Sequence, residues 1–411
     1  MPGGDFVQYG GQAILEGVMM RSPKFWAVAC RAPNGKIVVR TEAIEKTWIG
    51  RQKWLKLPFL RGTFALLDGM ALGHKAMRIA GDIQIDEKFA KPEEEDAPKE
   101  EPKERAAWVN PVLLLLMVVG IFFAFYFGRQ MNWKFAAGSF GVFAAAFLFH
   151  PIAKALLGDF AEKYAVPIAM VTGIAVGLFL FDYIPQTVAE GSARLFHFEN
   201  TFGGRITNYI AEIIKVAFFL GYMMLISQLP AIKDLFKYHG AEHKAINALE
   251  KRLNISVEDS RAQTRLHPRC GTSFAIIVLF VGFLLFPLIP RYPITGVAGH
   301  FWQDVSVRFL LQMSLLPLIA GISYELLKIA GKFRNEKWVG VAFAPGLWSQ
   351  RVITTIEPET PHLEVAVASL QAVFMAEKMG EVTTSDDFDE KAHEHLRPDS
   401  DEQMATNPVA I

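Results

Sequence analysis

The chain has 411 residues, 51% of them hydrophobic, and its 42 lysines and arginines are matched by 42 acidic side chains. Zero net charge leaves no basic surface on which to expect nucleic acid as a partner. Apolar runs of about 17 to 25 residues recur, each able to cross a hydrocarbon core as a helix, so the expectation is a lipid-embedded protein, mainly α and polytopic, rather than a soluble one.

Near its start the chain reads Gly10-Gly11-Gln12-Ala13-Ile14-Leu15-Glu16-Gly17-Val18-Met19-Met20-Arg21. Gln12, Glu16 and Arg21 stand among glycines and methionines. They either complete a site with Glu16 as its carboxylate or belong to a tight glycine turn under the strands that follow; the turn is preferred. Phe25 to Ile44 holds two β-prone runs around Asn34-Gly35, the pair a two-residue hairpin favours because both central residues need positive φ. Residues 1–57 are therefore expected to form a cytoplasmic region with a β-hairpin. Over 58–80 apolar residues recur at helical spacing, but Arg61, Asp68 and Lys75 are too many charges for a span, and the segment reads as an interfacial amphipathic helix. Residues 81–107, nearly all charge and proline from Asp86 to Arg105, read as an acidic disordered tether.

The membrane domain is expected over 108–330, with about six spans: Trp108 to Phe127, Phe135 to Ala153, Tyr164 to Phe181, Ile206 to Leu229, Thr272 to Pro290 and Val307 to Ile329. The fourth carries Glu212 and Lys215 at i,i+3, where they can neutralise each other. The opening MPGGDFVQYGG is neither basic nor apolar enough for a signal peptide, so insertion is expected to rely on the spans themselves. Lysine and arginine concentrate before Trp108, between Lys233 and Arg269, and after the last span. The positive-inside rule then places both termini in the cytoplasm of a multi-pass inner-membrane protein. Asp182 and Glu190 fall at an external loop and read as solvated. Cys30 and Cys270 fall on the cytoplasmic side, where a disulfide is not expected.

The polar loop 231–272 carries the chemistry. Residues four apart share a helix face, so His239 and His243 can offer two imidazoles to one ion, with Glu242 beside them as a catalytic base. The order His-x-x-Glu-His is that of inverted zinc peptidases. Further on, His267 and Cys270 stand at an x-x spacing that presents two ligands from one turn, and His239, His243, His267 and Cys270 together suit Zn²⁺. Four ligands would close a structural site; three with an open position would support hydrolysis. The alternative is a hydrogen-bonded polar loop without metal. Glu325, near the cytoplasmic end of the last expected span, either approaches this site as a ligand or orienting carboxylate, or pairs with Lys328 or snorkels to the interface. Arg261, Arg265 and Arg269 bind phosphate or lipid headgroups, supply the inside charge, or do both. An ordered cytoplasmic region is expected over 331–379, with an amphipathic helix from His362 to Met379, and then a disordered tail over 380–411.

With these motifs in view, the chain resembles the YqhQ-like family of bacterial membrane proteins, a domain of unknown function. The resemblance rests on the Gly10 to Arg21 motif, Arg61-Gly62, His239-Gly240-Ala241-Glu242-His243-Lys244 and His267-Pro268-Arg269-Cys270-Gly271-Thr272-Ser273-Phe274. Ala320-Gly321-Ile322-Ser323-Tyr324-Glu325 and Pro345-Gly346-Leu347-Trp348 complete it, so that it covers Gly10 to about Phe374. It implies a polytopic inner-membrane protein and no substrate. The spans and the His-Pro-Arg-Cys element depart from the inverted zinc peptidases, so no catalytic role is carried over from them.

Two functions remain open. One is a metal-dependent membrane enzyme with a cytoplasmic-face site acting on a lipid-linked or membrane-peptide substrate. The other is a noncatalytic factor that assists assembly or quality control of other membrane proteins and uses a structural metal. Transport is disfavoured because few charges are expected at mid-membrane depth.

Overall fold

The computed structural model describes residues 9–44, 60–90, 173, 177–197, 205–290, 292, 301–332 and 343–398. The strands β1 (Gly10–Ile14), β2 (Gly17–Arg21), β3 (Phe25–Arg31) and β4 (Ile37–Ala43) come first, followed by α1 (Leu60–Ile85), α2 (Ile184–Leu195), α3 (Arg205–Ile226) and α4 (Pro230–Glu250). Then come α5 (Val257–Arg261), α6 (Gly271–Leu285), α7 (Phe301–Lys332), α8 (Ala344–Ser349), α9 (Thr360–Met379) and the two-residue β5 (Thr384–Ser385). The chain forms two compact units, one of residues 1–93, 222–281 and 317–411, the other of 94–221 and 282–316.

The first unit is built on a five-stranded antiparallel meander in the order β1-β2-β3-β4-β5. Its inner strands are apolar without alternation, Val18-Met19-Met20 and Trp26-Ala27-Val28-Ala29-Cys30, because helices cover both faces. Val18, Met20, Ala27, Ala29 and Val39 pack with α9 and α4. Met19, Trp26, Val28, Cys30 and Val38 pack with Ala76, Ala80 and Ile83 of α1. The hairpin around Asn34-Gly35 is present, but its loop is longer than the two-residue turn that pair suggests. Gly35 N–H donates to Ala32 O (2.9 Å) and Ala32 N–H to Lys36 O (2.9 Å). Only Gly35, at φ +85°, takes the left-handed region. This is the three-residue loop with a glycine bulge, which needs one positive φ instead of two.

Three expectations for this unit change. The helix expected over 58–80 runs as α1 to Ile85, so the first residues assigned to the acidic tether are helical, and Phe89 behind them is buried in the core. One face of α1 is covered by the sheet, and near its start the Gly62 backbone meets α7, where a Cβ would stand 2.5 Å from that of Tyr324. The segment 362–379 reads as amphipathic, yet α9 is buried on nearly all sides, with the sheet on one side and α4 and α5 on others. Gly380, at φ +76°, caps it, its N–H bonding Ala376 O. The tail is ordered to residue 398, because Phe388 and Leu396 insert into the core and β5 pairs with β4.

Three helices among the described residues are long and apolar enough to cross a membrane: Arg205–Ile226, Gly271–Leu288 and Gln303–Ile329. They match the last three expected spans to within a few residues. The spans expected over 108–127 and 135–153, and most of that over 164–181, lie outside the described residues. In the second unit α2, α3 and the start of α7 bring together polar side chains. Asp182 and Glu190, read as solvated, are each only 6% exposed. Asp182 pairs with Lys215, which also pairs with Glu212 (3.2 Å), and Glu190 pairs with Arg194 (2.7 Å). These two carboxylates are therefore buried among helices of this unit instead of solvated. A carboxylate lying beside an ammonium from a neighbouring helix is invisible to a rule that scores each span separately.

Candidate metal centre

The segment 231–272, expected as a loop, is mostly helix. Pro230 starts α4, where its missing N–H costs nothing, as the first of the helix's 21 residues. Helical spacing puts His239 and His243 on one face with ring centroids 4.4 Å apart. The helix lies close to α9 and the preceding chain: a Cβ on Gly240 would stand 2.3 Å from Ile356 O.

Both imidazoles are oriented from behind. His239 Nδ1–H donates to Thr354 O (2.7 Å) and His243 Nδ1–H to Arg265 O (2.6 Å). A carbonyl can only accept, so each ring carries its proton on Nδ1 and presents Nε2. His239 Nε2 lies 3.1 Å from Cys270 Sγ. The ligand atoms of His239, His243 and Cys270 all lie within 4.8 Å of one another, with His243 and Cys270 buried. For bonds of about 2.0 to 2.3 Å in a tetrahedral site the donor atoms stand about 3.3 to 3.7 Å apart, a spacing this group reaches with small movements.

The electrostatics suit a thiolate. Burial alone would raise the Cys270 thiol, but His243 and His239 beside it outweigh burial and hold it well below its ordinary value. Thr272 adds its backbone N–H (3.4 Å) and hydroxyl (3.2 Å) to the sulfur at the start of α6. Burial disfavours a charged His239 ring, yet the Cys270 sulfur, Glu242 and the Thr354 carbonyl together raise it to about 9.

His267 stands at the edge of this group. Its ring centroid is 5.7 Å from that of His243, and its Nε2 is 3.5 Å from Glu250 Oε1, a carboxylate also held by Arg269. Glu242 lines the cavity beside the group, a space of 320 Å³ shared with Gly11, Gln12, Phe236, Arg269 and Thr272. β1 closes against α4 here, and a Cβ on Gly11 would stand 2.8 Å from Glu242 Cγ. The opening motif thus contributes Gly11 and Gln12 to the cavity wall. Glu16 sits in the β1–β2 turn at φ +49° and accepts a hydrogen bond from Tyr238 (3.3 Å). Glu325 is half-buried on α7 and is not one of the grouped ligands.

Sequence reasoning missed the residue that holds the His-Pro-Arg-Cys turn. Gln350, fully buried in the π-helical turn after α8, accepts from His267 N–H (2.9 Å) and donates to His267 O (2.8 Å) and Ser273 Oγ (2.7 Å). The signal was faint: one glutamine two residues beyond Pro345-Gly346-Leu347-Trp348.

Comparison with known proteins adds relationship without chemistry. The chain is similar to the uncharacterized protein YqhQ of Bacillus subtilis (strain 168), 29% identical over 374 residues that span 91% of this chain and 94% of that protein. No solved structure matches it. A family model described as a protein of unknown function, DUF1385, matches residues 57–376, a stretch that includes the histidines, the cysteine and Gln350. The chain belongs to the DUF1385 family.

Proposed function

We propose that the chain is a metal-dependent hydrolase at the cytoplasmic face of the membrane, with His239, His243 and Cys270 holding Zn²⁺ and Glu242 as general base. The observation that carries this reading is the orientation of both histidines, whose Nδ1–H groups are spent on backbone carbonyls while their Nε2 atoms converge with one sulfur. Three protein ligands leave a fourth position, as catalytic zinc sites do. Zinc held there would supply a Lewis acid and lower the pKa of water.

The chain's own groups supply the rest. Glu242, on the cavity wall, takes the proton of the attacking water and returns it to the leaving group. Arg269 offers hydrogen bonds to a polar substrate in the same cavity. Cys270 immediately precedes an apolar helix long enough to span a membrane, which supports a site at the bilayer boundary and a lipid-linked or membrane-peptide substrate. The concentration of lysine and arginine around this segment supports the cytoplasmic side and both termini there.

Metal analysis of the purified full-length protein tests the reading. One equivalent of zinc is expected, lost in His243→Ala and retained in His267→Ala and Glu242→Gln; zinc-free protein that takes up none on reconstitution rejects it. The second reading is a noncatalytic membrane factor with a structural metal, favoured by the buried His267 ring 5.7 Å from His243. It requires His267→Ala to lose the metal and Glu242→Gln to leave function intact.

A further inference from the structure

β1 is an edge strand, and no strand flanks its other side among the described residues. The register shows which of its main-chain groups face outward. Ser22 N–H donates to Phe25 O (2.8 Å) and Arg31 N–H to Glu16 O (2.8 Å), so Val18 and Met20 bond β3 while Gly17, Met19 and Arg21 bond β1. Their partners Ile14, Gln12 and Gly10 therefore direct N–H and C=O at β2, and Gly11 and Ala13 direct theirs away from the sheet. Neither has a hydrogen-bond partner on that side among the described residues. Gly11 is exposed, and β1 carries none of the features that blunt a free edge: it has no lysine, no proline and an unbroken register.

This edge borders the cavity of the metal centre. Gly10, Gly11 and Ala13 line it together with Glu242, and a Cβ on Gly11 would stand 2.8 Å from Glu242 Cγ. The two faces of β1 differ. Gly11 and Ala13 turn toward the α4 and α9 side, whereas the Gln12 amide lies against Gly73 of α1. A residue paired opposite Gly11 shares its face, so its side chain enters the cavity beside Leu235, Phe236 and Ile246. Donor and acceptor pairs that recur every second residue match an extended peptide, which adds to a sheet edge through its main chain. An anionic lipid headgroup fits them poorly, because the outward carbonyls of Gly11 and Ala13 repel it.

On the metal-dependent hydrolase reading, on which this inference rests, we propose that the substrate is an extended peptide segment that adds to β1 as a further strand. One apolar side chain of the segment fills the cavity, and its backbone lies beside Glu242. A helical segment has its main-chain groups bonded internally and offers none to β1, so the edge selects unwound chain. In cleavage the oxygen of water bonds to the peptide carbonyl carbon, the C–N bond breaks, and Glu242 carries the proton from water to the departing amine.

Binding of fluorescein-labelled decapeptides, each with leucine or valine at every second position, tests this in full-length Glu242→Gln protein held in phosphatidylethanolamine–phosphatidylglycerol nanodiscs. Fluorescence anisotropy is expected to show saturable binding. A scan of single N-methyl groups along a bound peptide should weaken binding about tenfold or more at every second residue and change it less than about threefold at the residues between. Ala13→Pro, which an edge strand tolerates on its outward side, removes one donor and should weaken binding about tenfold, while Ala13→Ser keeps the donor and the affinity. The N-methyl scan is made on the parent protein, so it decides the question even where Ala13→Pro fails to fold. No binding by any peptide, weakening that does not alternate, or full affinity in folded Ala13→Pro overturns the inference. Binding of farnesyl phosphate in place of the peptides also overturns it and assigns the cavity to lipid-linked substrates. Zinc content is read on the same samples. Zinc without peptide binding rejects the docking edge alone, whereas alternating peptide binding without zinc supports the edge and rejects the hydrolase.

Discussion

Cys30 and Cys270 show how environment separates two residues of one type. Burial pushes the Cys30 thiol up to about 12, with Glu16 adding to the shift, whereas Cys270 is held low by two imidazoles. In the folded protein at neutral pH, iodoacetamide is therefore expected to label Cys270 and spare Cys30, and zinc to protect Cys270; peptide mass mapping reads both. Cys30 also carries a pH prediction. Its folded pKa lies above the ordinary value of 9.0, so the unfolded chain loses the proton first as pH rises. Stability from this group is whole below pH 9.0 and falls as pH climbs toward about 12, by about 1.4 kcal/mol per unit at most. Cys30→Ala should flatten that alkaline decline in thermal melts. Gln350 belongs at this scale too: Gln350→Ala frees the His267 turn and should weaken zinc binding by about 10- to 100-fold in a chelator competition, the usual effect of losing an outer-shell support.

At the scale of elements, close backbone approaches lock the motifs together. Gly240 of α4 lies against the carbonyl of Ile356, and Gly346 of α8 against Ser273 at the head of α6. Gly240→Ala has no room for its methyl and should cost about 1 to 3 kcal/mol in denaturant unfolding. Gly69 of α1 has nothing within 4 Å of a built Cβ, so Gly69→Ala should be neutral or stabilising by about 0.5 to 1 kcal/mol. The helical spacing of His239 and His243 was legible from sequence, because i,i+4 geometry needs only a helix. The separation of His267 from the group was not. Its place depends on Gln350, 83 residues away in the chain.

For the molecule as a whole, the ordered tail makes the clearest prediction. Ending the chain after Gly380 removes Phe388 and Leu396 from the core, together with the ion pairs of Asp386 with Arg40 and Lys88. The apolar anchors each contribute about 1.5 to 3 kcal/mol, while the exposed ion pairs contribute little. The truncated protein should therefore melt lower even at high salt; an unchanged melting temperature would show the tail to be dispensable.

Much was set by local sequence. Apolar runs located the three described helices that are long and apolar enough to cross a membrane, because crossing a hydrocarbon core requires a helix of fixed length whatever surrounds it. The Asn34-Gly35 pair located a hairpin, and the four-residue spacing of His239 and His243 put two imidazoles on one helix face. The tertiary structure decided what such patterns omit: which of four candidate ligands converge, which side of the sheet receives each helix, and that Asp182, Glu212 and Lys215 meet inside the bundle. Those outcomes depend on contacts between residues far apart in the chain. Periodicity and composition describe one element at a time, whereas the cost of a buried charge or the reach of an imidazole is set by the neighbour that folding brings beside it.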